Sequence, residues 1–67
     1  MEDYQHRVLD EQVDLSEKIK KLSAFLGSPR ATTLGVAERA RMNEQLIHMA
    51  RYNGVLLARI RAFQFPV

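Results

Sequence analysis

Sixty-seven residues make one small domain, below the size at which a single core is comfortably self-sufficient. Such chains draw extra stability from disulfides, a metal or oligomerisation; the absence of cysteine excludes disulfides and thiolate metal sites. The net charge of +2 is split unevenly, with six acids and four bases in residues 1–29 but six arginines and two acids in residues 30–67.

Residues 2–26 read as one helix. The stretch has no glycine or proline, and acids crowd its start at Glu2 and Asp3 while lysines gather towards its end, as the helix dipole prefers. Asp14 to Lys18 and Glu17 to Lys21 have the spacing of outer-face ion pairs. Tyr4, Glu11, Lys18 and Phe25 stand seven apart, and Val8, Leu15 and Leu22 form a second seven-residue row beside them. Together they write an alternating four-three seam in which Glu11 and Lys18 are charged members. Burying either charge without a partner costs several kcal/mol, by rough estimate. Either the two satisfy each other, or the seam opens to something charged.

Gly27 is placed for a left-handed C-cap, and Pro29 cannot continue the helix. Residues 27–35 form the connection. Thr33 or Gly35 can cap the next helix, and Glu38, three residues after Gly35, favours Gly35. From about residue 36 to 63 a second helix carries the seam Met42, Leu46, Met49, Asn53, Leu56, Ile60 and Phe63, and Pro66 follows it. Gly54 interrupts it at a cost of about 1 kcal/mol relative to alanine, which suggests close approach of a neighbouring backbone. The expected fold is therefore all-α: an antiparallel two-helix hairpin. Each helix keeps a second apolar row, Leu9, Ile19 and Leu26 on the first and Ile47, Val55 and Leu57 on the second. A lone hairpin would leave both rows wet, so the chain is expected to assemble into a helical homo-oligomer.

No apolar run approaches the roughly 18 residues of a membrane span, and the amino terminus lacks the order of a signal peptide. A soluble, intracellular protein is expected. Glu44 and His48 have helical spacing, but two ligands are too few for zinc, and no other metal or cofactor site is legible. Nor is there a serine or cysteine nucleophile with a base, or a glycine-rich phosphate loop, so no enzyme is expected. Arginine's planar fork suits phosphate, but an excess this modest does not make DNA or RNA the expected partner.

Two constellations remain open to more than one reading. Glu11 and Lys18 can be flank charges beside the seam, since 3.6 does not divide seven; alternatively Tyr4 and Lys18 line an intersubunit pocket, the ring stacking on a base and the ammonium holding phosphate. Gln45, Tyr52 and Arg59 form another seven-residue row beside the second seam. Arg51 and Arg61 read as solvated, Arg59 as pointing to an interface, and Asn53 as a seam amide that fixes register. Met42 and Met49 read as core filler.

The string Tyr4-Gln5-x-Arg7-Val8-x-x-Glu11, with Leu15-x-x-Lys18 and Lys21-Leu22-x-x-Phe25, resembles the first helix of phage anti-CBASS cyclic-oligonucleotide sponges, whose hairpin is shared with anti-Thoeris sponges. Gln45-Leu46, Met49-x-x-Tyr52 and Val55-Leu56-x-x-Arg59-Ile60-x-x-Phe63 are similar to the second helix. The resemblance implies a homohexameric, non-enzymatic inhibitor in the cytoplasm of an infected bacterium, sequestering cyclic di- and trinucleotides without cleaving them. It implies that Tyr4 and Lys18 serve a cyclic dinucleotide pocket between protomers, and that Arg59 serves a cyclic trinucleotide site. Arg7, Thr32 and Thr33 are further candidates for phosphate or base contacts. Glu11 is then expected to orient Lys18 or Arg7 across the interface. A structural coiled-coil adaptor or protein-binding hairpin without a nucleotide ligand is the alternative.

Overall fold

Helix α1 spans Asp3–Leu26 and helix α2 spans Val36–Gln64, joined through a 3₁₀ turn at Pro29–Thr33 in a computed structural model that describes residues 1–64. Pro66 lies outside the described residues. The chain folds back on itself, so that Tyr4 in the first turn of α1 meets Phe63 in the last turn of α2. The result is an antiparallel rod of 47 × 16 × 15 Å, all-helical among the described residues. Among them no helix is long and apolar enough to cross a membrane.

Local chemistry sets the ends of α1. The backbone N–H of Glu2 donates to the side-chain oxygen of Gln5 at 2.9 Å, and the Glu2 carbonyl takes the N–H groups of Gln5 and His6. This satisfies donors and acceptors that a helix start otherwise leaves to water. At the other end the expected left-handed glycine does not occur: Gly27 stays right-handed, with φ −87° and ψ 0°. The chain runs on into the 3₁₀ turn rather than reversing sharply, and the Phe25 carbonyl is taken by the Ser28 hydroxyl at 2.6 Å. Ala31, in the middle of that turn, is buried where the turn packs back on α1. Gly35 precedes α2, its carbonyl accepting from Arg39 N–H at 3.0 Å. Thr33 does not cap α2, and Glu38 pairs forward with Arg41 at 2.9 Å instead of back to Gly35.

The α2 seam is the one its sequence spells. Met42, Leu46, Met49, Asn53, Leu56, Ile60 and Phe63 are the residues of that helix withdrawn from solvent. Among the described residues Leu56, at 0 % exposure, is the only large side chain fully buried.

The α1 seam differs by one row. Val8, Leu15 and Leu22 face α2 as expected, but their companions are Gln5, Gln12, Ile19 and Leu26. Tyr4, Glu11 and Lys18 are exposed on the flank, while Phe25 is half-buried. Charge decides between the two rows. Burying Glu11 and Lys18 would strip two ions of water, whereas Gln12 is neutral and finds a partner: its amide donates to the Asn53 side-chain oxygen at 3.3 Å. That bond places the Asn53 amide in the seam, paired across it to the other helix. The same rotation of α1 half-buries Leu9, Ile19 and Leu26, so this apolar row is not left wet by the hairpin. Ile47, Val55 and Leu57 of α2 are exposed, as expected.

Candidate functional site

In an antiparallel pair, the same flank of both helices faces the same side. The Tyr4–Glu11–Lys18 row of α1 therefore lies alongside the Gln45–Tyr52–Arg59 row of α2, and the two meet at one bond. The Tyr52 hydroxyl donates to Glu11 Oε2 at 2.6 Å. Glu11 was expected to orient Lys18 or Arg7; within the chain its partner is Tyr52, and Lys18 turns to Asp14, 4.0 Å away. Around this bond Glu11, Asp14, Leu15, Lys18 and Tyr52 line an open depression of about 260 Å³.

The Glu11 carboxylate raises the pKa of the Tyr52 phenol above 10.0, chiefly by accepting its proton in a hydrogen bond that a phenolate could not donate. Partial desolvation and the carboxylate's charge push the same way, while the Arg59 guanidinium pulls down. Because the neutral phenol is favoured in the folded chain, this contribution to stability is present below about pH 10 and is lost as pH rises through the raised folded value. With Tyr4 replaced by Phe, Tyr52 is the only tyrosine left. Its ultraviolet phenolate titration should then have a midpoint above 10.0, and adding Glu11→Gln should lower it. An unchanged midpoint after that second substitution would remove Glu11 as the cause.

The remaining candidates sit at defined places. Tyr4 packs edge-to-face on Phe63, ring centroids 5.6 Å apart and planes at 89°, with nearly half of the residue still open to solvent. Arg7 is exposed one turn on from Tyr4, and Arg59 is exposed on the α2 flank next to Tyr52. Thr32 and Thr33 lie at the opposite end of the rod, about 33 Å from Tyr4 by the rise of α1. Their hydroxyl protons are already given to the carbonyls of Pro29 and Arg30, at 2.6 and 2.7 Å. A phosphate at the turn would have to displace those bonds, and no single small ligand can touch both Tyr4 and the threonines of one chain.

Sequence reading treated Tyr52 as a row member, without a role. The signal was there in two adjacent seven-residue rows, but their meeting point depends on which residues the turn sets opposite one another. The arrangement offers rings for stacking, cations for phosphate and carboxylates that accept N–H groups, which is the equipment of a binding surface. Glu44 and His48 do meet, at 3.0 Å, but among the described residues no group of three or more such side chains gathers as metal ligands do.

No curated protein and no solved structure matches the chain. One family does, Sequestin, over residues 2–62. That span takes in α1, the turn, α2 up to its last two residues, and every candidate residue above. The chain therefore belongs to the Sequestin family, the phage anti-CBASS and anti-Thoeris sponges, and its role is to sequester.

Proposed function

We propose that the protein binds cyclic di- and trinucleotide second messengers and holds them intact, so that CBASS effectors in an infected bacterium stay unswitched. Membership of a sequestering family over residues 2–62 carries this reading. The flank described above supplies the chemistry: Tyr4 and Tyr52 for base stacking, Lys18 and Arg7 for a cyclic dinucleotide's phosphates, and Arg59 for a cyclic trinucleotide; Lys18 stands about 21 Å from Tyr4 by the rise of α1, so the two would serve one dinucleotide from different copies. Glu11 holds the Tyr52 ring and can accept N–H groups from a base edge. Thr32 and Thr33 reach the same ligand only from another copy, which accords with pockets built between protomers of a homo-oligomer, a hexamer by the family likeness. No bond in the ligand is broken.

The test is a thermal-shift screen of the purified protein against cyclic di- and trinucleotides, followed by heat denaturation and chromatography of what is released. Stabilisation by at least one ligand, recovered unchanged, is expected. No shift with any of them would overturn the reading and leave a protein-binding hairpin, whose partner a pull-down would find.

A further inference from the structure

The carboxylate at the centre of the binding flank is only half engaged. Glu11 Oε2 takes the Tyr52 hydroxyl proton at 2.6 Å, and among the described residues no group donates to Oε1. The neighbouring acid differs. Asp14 has the Lys18 ammonium 4.0 Å away, whereas Glu11 makes no ion pair among the described residues. Glu11 is exposed and lines the open depression of about 260 Å³ together with Lys18, the half-buried Leu15 and Tyr52.

A site that recognises only phosphate gains nothing from a carboxylate, because like charges repel. A carboxylate gains when it meets paired N–H donors. It has about four lone-pair sites and accepts two parallel N–H groups at once, one on each oxygen. The phenol occupies one lone pair of Oε2 and leaves that oxygen another, so the tied carboxylate still offers both oxygens. The same bond, reaching across from α2, holds the carboxylate in one orientation.

Nucleobase edges differ in whether they meet this demand. Guanine presents N1–H and the N2 amino group side by side. Adenine sets its amino group beside the bare N1, cytosine sets one beside the bare N3, and uracil carries a single N3–H between two carbonyl oxygens. Opposite a carboxylate, each of these three brings lone pair against lone pair.

We propose that Glu11 makes the flank selective for guanine, taking N1–H and N2–H on its two oxygens while Tyr52 holds it in place. Lys18, in the same depression, stays with the ligand's phosphate and offsets the carboxylate's charge. Asp14 is less suited to the part, since it would have to give up Lys18. The selectivity rests on the nucleotide binding proposed above and names the base that binding prefers.

Isothermal titration with three cyclic dinucleotides of one backbone, carrying guanine, hypoxanthine or adenine, tests the contact atom by atom. Hypoxanthine keeps N1–H and lacks only the N2 amino group. The wild-type protein should bind the guanine ligand about 5- to 150-fold more tightly than the adenine ligand, the discrimination of a bidentate pair, with hypoxanthine between them. Glu11→Gln can still accept the phenol proton on its amide oxygen, but its amino group then meets guanine donor against donor. Adenine, with an amino group beside a bare ring nitrogen, suits an amide, so the order should level or reverse. Equal affinity of the wild-type protein for all three ligands, or a guanine preference that survives Glu11→Gln, would overturn the proposal while leaving nucleotide binding intact. An equal loss for all three in Glu11→Gln would also overturn it and make Glu11 a support for the Tyr52 ring alone. Binding of none of them would remove the proposed function and the selectivity together.

Discussion

Lys18→Ala should weaken binding of a cyclic dinucleotide roughly 10- to 150-fold, the loss that goes with a charge-assisted hydrogen bond contributing about 1.5–3 kcal/mol. It should leave the hairpin standing. The Lys18 ammonium is exposed on the flank, and its link to Asp14 is a 4.0 Å surface pair of the kind that contributes about 0–1 kcal/mol. That looseness also leaves the ammonium free to turn from Asp14 to a phosphate at little cost. Arg59→Ala should spare the dinucleotide and weaken a cyclic trinucleotide by a similar factor. Arg59 lies on the other helix, beyond Tyr52 from Lys18, so one compact ligand does not need both. Isothermal titration of both variants with both ligands reads the four affinities. Equal losses for the two ligands in each variant would collapse the two proposed sites into one, and no loss in either would take the flank out of ligand binding.

The Glu11–Tyr52 bond gives that flank its stiffness. A tyrosine ring offered to a base from a mobile side chain must be ordered on binding, at a cost in affinity. Here the ring is already tied at its far end by a 2.6 Å bond to the neighbouring helix. A carboxylate beside a phosphate site would otherwise be a liability. Glu11 keeps its charge while bonded to the phenol, and the cations Lys18 and Arg59, which bracket it along the rod, are what would offset that charge toward a phosphate.

How far the fold could be read in advance follows from how decisive each row was. On α2, six apolar residues and one amide at four-three spacing admit one packing face, and the structure uses it. On α1, the Val8–Leu15–Leu22 row has a plausible companion on either side. Tyr4, Glu11, Lys18 and Phe25 compete with Gln5, Gln12, Ile19 and Leu26, and periodicity is blind to the choice. What resolves it is the Gln12–Asn53 bond, between residues 41 apart in sequence. The same separation hid the partner of Glu11. Ala31 left no trace at all, because a small residue buried in a turn belongs to no repeat.

Leu56→Ala should cost about 2–5 kcal/mol, the range for emptying a fully buried leucine site. A chain of this length has a total stability of roughly 3–10 kcal/mol at the usual value per residue, so the single change removes a large share of it. Leu56 is at 0 % exposure, and beyond Val8 and Ala31 no other residue of the described chain is buried, so little remains to compensate. Leu57, the next residue, points to the open side and is nearly half exposed in the hairpin. Leu57→Ala should then act through assembly: its melting temperature should fall most at low protein concentration and approach the wild type at high concentration. Leu56→Ala should stay far below the wild type across the same dilution series. Melting curves that respond alike for the two variants would mean that the seam between α1 and α2 and the exposed row of Ile47, Val55 and Leu57 belong to one cooperative core, and that the hairpin does not exist apart from its assembly.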